Sequence, residues 1–295
     1  MMMTIAAASI LNNLIDVIPS ISQHHAPSDV LYPLLKKVAR AEIERVFGIS
    51  SKSKPVDFGP FGKIVFPYHQ MGTASTVNLF DLDELIIFAF YWENRKRYKN
   101  VADIGANIGM HSVMLSRCGF KVRSYEPDPE HYKILKRNLA ANRCAHVTAY
   151  NVAVSNDAAR KEFVRVLGNT TGNHLAGSKS SLYGKIERFY VKTEPVQEIM
   201  HWADLLKIDA EGHEKDILLA TKRSDWVSTD AMVEVQSREN ALAIFKHFKK
   251  MGVNLYSQKK NWRRAMSLDA MPNGYKEGSL FITGRSKMDL WKRKI

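Results

Sequence analysis

A carboxylate, a glycine-broken turn and the spacing between them carry the first chemical signal of this chain. The run Val101-Ala102-Asp103-Ile104-Gly105-Ala106-Asn107-Ile108-Gly109 begins as an apolar strand and breaks into a turn that opens a helix. Gly105 permits the sharp turn. Gly109 lets the helix pack close and brings its N-terminal amides near a ligand. About twenty residues on, a second apolar stretch ends in Glu126. A carboxylate placed there accepts from both hydroxyls of a ribose. One glycine turn alone is weak, because every strand–helix–strand unit needs one. The pair also suits a dinucleotide oxidoreductase, but Asn107 stands where the middle glycine of G-x-G-x-x-G would meet a pyrophosphate. A cofactor without pyrophosphate fits better, and S-adenosylmethionine (SAM) is one. Its amino-acid end would meet Gly105, Ala106, Asn107 and Gly109, with Asp103 at the strand end in the same set. Its ribose would meet Glu126. Pro127 would shape the adenine slot, flanked by Asn151 and Val152.

A second cluster lies further on. Four polar side chains, Asp209, Glu211, His213 and Glu214, leave the tip of one buried-strand pattern. Glu234 sits near the end of a later one. In a parallel sheet the carboxyl edge carries the chemistry. Helix capping would occupy Asp209 or Glu211 but not both. A sulfonium methyl is already electrophilic, so an alcohol attacking it needs only position and loss of its proton. Asp209 is the first candidate for that base, with His111 and His213 behind it. A divalent metal on Asp209, Glu211 and Glu234 would acidify the hydroxyl instead. The residues do not choose between base and metal.

Four motifs in order, Asp103-Ile104-Gly105-Ala106-Asn107-Ile108-Gly109, Tyr125-Glu126-Pro127-Asp128, Asn151-Val152-Ala153-Val154-Ser155 and Lys207-Ile208-Asp209-Ala210-Glu211-Gly212-His213-Glu214, resemble the FkbM-type SAM-dependent methyltransferases. The last motif is the specific one, and His213 falls on a variable position within it. The resemblance covers roughly residues 99–284. It implies a class I methyltransferase fold, SAM as cofactor, and O-methylation of a sugar, glycan or secondary-metabolite hydroxyl.

These residues need an alternating frame. Strands are expected near 99–104, 120–125, 146–150, 204–208 and 230–235, with helices near 109–117, 129–141, 213–221 and 238–250. Two last strands fall near 253–257 and 278–283, and extra strands at 160–166 and 187–194 flank an insert. The fold class is therefore α/β, a doubly wound Rossmann-like sheet with helices on both faces. Residues 1–60 read as an N-terminal helical extension and 61–295 as the methyltransferase domain. The extension holds amphipathic helices in 1–20 and 32–47 and a linker at 50–60; a strand at 63–68 and an apolar helix at 81–92 follow. The first helix would dock on the core or on a second subunit, the latter making a homodimer. The insert at 167–182 is rich in glycine and hydroxyls and suits a substrate loop over the strand tips.

The first twenty residues lack the basic start of a signal peptide and the unbroken length of a membrane span. Two cysteines, Cys118 and Cys144, offer neither a disulfide framework nor a C-x-x-C site, so a reducing cytoplasm is expected. The net charge of +13 gathers at 95–99, 246–250, 259–264 and 287–294. A solvated basic face is the plain reading. An anionic hydroxyl-bearing acceptor or a nucleic acid is the sharper one, with Trp262 as a stacking platform. The Asn/Asp-Pro-Pro-Tyr/Phe signature of base amino-group methylation is absent, which places RNA methylation second.

Overall fold

The computed structural model describes residues 9–49, 54–71, 74–167, 172–178, 185–286 and 290–291. The start of the first expected helix, part of the 50–60 linker, parts of the 167–182 insert and most of the basic tail lie outside them.

From residue 100 on, the strands in chain order are β1 (Asn100–Ile104), β2 (Lys121–Tyr125), β3 (Val147–Tyr150), β4 (Ala153–Ser155), β5 (Arg160–Val166) and β6 (His174–Leu175). They continue as β7 (Ile186–Pro195), β8 (Leu205–Ile208), β9 (Asp230–Glu234), β10 (Asn254–Ser257), β11 (Arg263–Arg264) and β12 (Ser279–Thr283). The helices are α1 (Ile10–Val17), α2 (Tyr32–Phe47), α3 (Leu82–Glu93) and α4 (Met110–Arg117). After these come α5 (Pro129–Ala141), α6 (Val196–Met200), α7 (Glu214–Leu219) and α8 (Arg238–Met251).

One eight-stranded sheet runs in the order β11-β10-β12-β9-β8-β1-β2-β3. Strands β9, β8, β1, β2 and β3 are parallel, and β12 enters antiparallel between β9 and β10. The order reverses between β1 and β8, so a crevice opens at the carboxyl ends of those two strands. The period of two along each strand divides the core. Val101, Val122, Leu205, Met232 and Phe281 join one buried cluster. Their neighbours Ala102, Leu206, Ala231, Leu280 and Ile282 join the other. Helices α6 to α8 cover the second face and α1 to α5 the first. The sheet is thus wound on both sides, as the alternating pattern required.

The amino-terminal helices share the first-face core. Leu11, Leu14 and Ile15 of α1 are buried, and Phe47 of α2 stacks on Phe80 at 4.3 Å. Each buried aliphatic or aromatic side chain is worth about 1.5–3 kcal/mol, which holds α1 on this core. Local chemistry sets the ends of the helices. Asp81 caps α3, Asp128 caps α5 ahead of Pro129, and Ser237 caps α8.

The expected strand at 63–68 shortens to Lys63–Ile64. The reason is Asn142, whose side-chain oxygen accepts from the Val65 amide at 2.9 Å while its Nδ2 donates to the Val65 carbonyl at 2.8 Å. Both ladder groups of Val65 are thereby taken. A second, smaller sheet in the order β6-β5-β7-β4 leans over the sheet edge near β2. Among the described residues no helix is long and apolar enough to cross a membrane.

Candidate active site

A cavity of about 600 Å³ lies at the carboxyl end of β1, β2 and β8. Its floor is the glycine turn. Gly105 has φ +78°, and a Cβ there would sit 1.7 Å from the Asp209 carbonyl oxygen. No other residue fits where the tips of β1 and β8 touch. Gly109 (φ +91°) starts α4, and a Cβ there would meet Leu135 Cδ1 at 2.4 Å. Gly105 therefore shapes the cavity directly, and Gly109 acts through helix packing.

Glu126 lines the cavity at the end of β2 and is buried. Its Oε2 accepts from the Asn107 amide and its Oε1 from the Asp128 amide, both at 2.8 Å. Burial lifts its pKa to about 8, against the lowering effect of those two amides. Each oxygen keeps a lone pair for a further donor. Asn107, at φ +51°, also lines the cavity, and its Oδ1 is buried with no hydrogen-bond partner among the described residues. Asp103 is fully buried beneath the turn. Its Oδ2 accepts from Ser112 Oγ at 2.6 Å, and its Oδ1 has no hydrogen-bond partner among the described residues. Ala106 is buried behind the turn.

Pro127 lines the cavity as expected, but Asn151 and Val152 do not; Ala153 and Val154 take that wall. The Asn151 amide instead donates to the Glu126 and Pro127 carbonyls at 2.8 and 3.0 Å, clamping the loop that carries the carboxylate. Asn151 and Val152, expected to flank adenine, therefore stand outside the cavity lining.

The smaller sheet supplies a further wall, part of it from the 167–182 insert that the sequence reading set over the strand tips as a substrate loop. Phe163, Asn173, His174 and Leu175 line the cavity from β5 and β6. The described part of the insert therefore closes one side of this cavity. This sheet is fastened by Arg165, whose Nε and Nη2 reach the two Asp128 oxygens at 2.8 and 2.6 Å. Burial opposes ionisation of Asp128, but the Arg165 guanidinium and the Glu130 amide outweigh it and hold the pKa below the ordinary range.

The acids of the β8 tip divide their work. Glu214 is buried and accepts from the Ala210 amide at 2.8 Å and the Gly212 amide at 3.1 Å. It is the clamp of the 209–212 turn, and burial raises its pKa to about 7. Asp209 lines the cavity, and its Oδ2 accepts from Lys207 Nζ at 3.2 Å. Burial works against the Asp209 charge, yet Lys207 prevails and keeps the carboxyl below its usual pKa. The neighbouring Glu234 is pushed well above its usual pKa, first by burial and then by the Asp209 charge. The two carboxyls therefore hold one proton between them.

Neither histidine is free. His111 lies outside the cavity, with Nε2 2.8 Å from Glu84 Oε2 and Nδ1 3.0 Å from Tyr91 Oη. His213 lines the cavity, but its Nε2 meets Ser155 Oγ at 3.0 Å and its Nδ1 lies 3.1 Å from Asp216. Glu211 also lines the cavity, at φ +52°. Among the described residues no three acids, histidines or cysteines come together in a metal-holding group, so Asp209, Glu211 and Glu234 do not form the expected triad. Trp262 is also not a stacking platform. It is buried, and its Nε1 donates to His25 Nδ1 at 3.0 Å.

A mostly parallel sheet with two reversed strands, a glycine turn at its switch point and a carboxylate at the next strand tip define a class I methyltransferase architecture. The sequence matches the family described as "Methyltransferase FkbM domain" over residues 103–259, more than half of the chain. The chain belongs to that family of SAM-dependent methyltransferases. A fungal relative, "Methyltransferase sdnD" of Sordaria araneosa, is 27% identical over 160 residues, 43% of this chain and 61% of its own. The chain thus spans under two thirds of that relative. Among solved structures, an O-methyltransferase from Bacillus cereus in complex with SAH aligns at TM-score 0.35 and 11% identity, covering 66% of this chain and 78% of that one. A precorrin-6y C5,15-methyltransferase from Geobacter metallireducens aligns at TM-score 0.34 and 12% identity, covering 65% and 82%.

Proposed function

We propose that the chain transfers a methyl group from SAM to a hydroxyl of a sugar, glycan or secondary metabolite. The observation that carries this reading is the Glu126 carboxylate, buried at the cavity wall with a lone pair left on each oxygen. It suits a ribose diol. Asn107 Oδ1, buried and unanswered, suits the ammonium of the amino-acid end, with Gly105 leaving the room. Ala153, Val154, Phe163 and Leu175 offer an apolar slot for adenine beside Pro127. Bound there, SAM would supply an electrophilic methyl carbon.

The chain's own part is to hold the acceptor in line and receive its proton. Asp209 is kept ionised by Lys207 and stands at the cavity. With SAM bound, an O–C bond would form as the S–C bond breaks with its electron pair left on sulfur, and the hydroxyl proton would pass to Asp209. His111 and His213, both engaged, position Glu84 and the β4–α7 contact rather than the acceptor. A reducing cytoplasm agrees with two buried free thiols.

The test is a radiomethyl assay against a panel of sugars and hydroxylated metabolites. Asp209→Asn should lower kcat for any acceptor the wild type methylates by about 10²–10⁴-fold. Its affinity for S-adenosylhomocysteine (SAH) should change by less than about threefold. A fully active Asp209→Asn variant would remove Asp209 from the reaction.

A further inference from the structure

A second cavity, of about 1430 Å³, opens on the same edge of the sheet, on the β9 and β12 side of β8. Lys207 and Ile208 line it, while the very next residues, Asp209 and Ala210, line the first cavity. The tip of β8 is therefore the partition between the two. Pro27, Pro33 and Lys36 form one wall from the amino-terminal segment. Asp83, Glu84 and Ile87 form another from the first turns of α3, and Glu234 and Ser279 close the sheet side. Most of this wall lies outside residues 103–259 that match the family.

We propose that this second cavity is the acceptor site and that it takes an uncharged, hydroxyl-bearing molecule. The proposal rests on the methyl-transfer reading above. A donor and an acceptor must meet within van der Waals reach, and Asp209 stands where the two cavities adjoin. The charge in the walls is already answered from within. Lys36 Nζ lies 2.9 Å from Asp81 and 3.4 Å from Asp83. Asp83 also accepts from Tyr32 Oη at 2.5 Å and from Gln258 Nε2 at 2.7 Å. Glu84 faces His111, and Lys207 faces Asp209. Glu234 is held protonated by burial beside Asp209. Lys276 is exposed, over the Tyr275 ring. Apart from Lys276, whose ammonium stays in solvent at the rim, an ionised acceptor would lose water with no opposite charge waiting, which is costly. A neutral one finds a carboxyl at Glu234, a hydroxyl at Ser279 and an exposed aromatic ring at Tyr275.

The test is saturation-transfer NMR on the full chain with SAH present, using methyl α-D-glucopyranoside, glucose 6-phosphate and glucosamine as probes. The neutral glucoside alone should receive transfer at millimolar concentration. Asn78 also lines the cavity, and Pro33→Trp and Asn78→Trp, which fill it from two walls, should each cut that signal by about fivefold or more and leave SAH affinity within about twofold. Binding of the charged sugars in its place, or a glucoside signal untouched by both variants, would overturn the proposal. So would the absence of any glucoside signal in a protein that holds SAH. A chain that does not hold SAH at all would overturn the methyl-transfer reading first.

Discussion

At the scale of single residues, Glu126 carries the cofactor side of the account. Its spacing after the glycine turn was readable, because a ribose-reading acid belongs at the second strand tip. Its pKa of about 8 was not, since burial depends on Asn107 and Asp128 folding over it. The carboxylate form is the better acceptor of a diol, so affinity should rise with pH as Glu126 ionises. For 5′-methylthioadenosine, which has no group titrating between pH 6 and 9, Kd should fall by about tenfold from pH 7 to pH 9. Glu126→Gln should bind weakly and without that slope, and Glu126→Ala about tenfold or more weakly than wild type. Calorimetry across pH reads both, and a flat wild-type profile would contradict the assignment. The tip acids were also legible as a group. Their division was not: Glu214 clamps the turn and Asp209 faces the cavity, a matter of which side each peptide turns. His111 looked free in the sequence because Glu84 and Tyr91, its partners, come from a helix well upstream.

At the scale of elements, strong periodicity fixed most boundaries. α2 and α5 lie where the apolar spacing puts them, and the parallel strands of the sheet fall within a residue or so of the expected positions. The short β4, β6 and α6 escaped, because two to five residues show no period. Their placement is decided by distant contacts such as the Arg165–Asp128 fork. That fork is a nearly buried pair, with Asp128 1% and Arg165 13% exposed at the side chain. Arg165→Ala would leave an uncompensated carboxylate and should cost about 3–5 kcal/mol in urea unfolding at pH 7. The Asp128 pKa is depressed in the fold, so its contribution is present above the unfolded value and is lost as pH falls through the folded one. The acid limb of the stability curve should therefore change in Arg165→Ala. An unchanged midpoint and acid limb would mean that the smaller sheet is held by its apolar contacts alone.

At the scale of the whole molecule, the amino-terminal helices and the far end of the chain meet in one seam. Trp262 Nε1 donates to His25 Nδ1, so the His25 proton sits on Nε2, which donates to the Ile18 carbonyl at 2.9 Å. Trp291 packs edge-on against the same ring at 4.8 Å. Burial lowers the His25 pKa to about 4. The unfolded chain thus binds a proton that the fold refuses, and stability should fall as pH drops from about 6.5 to 4. His25→Gln should flatten that interval, read by urea unfolding followed through tryptophan fluorescence. The sequence showed amphipathic helices at this end but not their destination, because the seam joins residues more than two hundred apart. The most direct measurement of the central claim is calorimetric titration of the purified chain with SAH and, separately, with NAD. The account predicts one SAH bound per chain, weakened about tenfold or more by Glu126→Ala, and no heat from NAD. Binding of NAD, or of neither ligand, would contradict it.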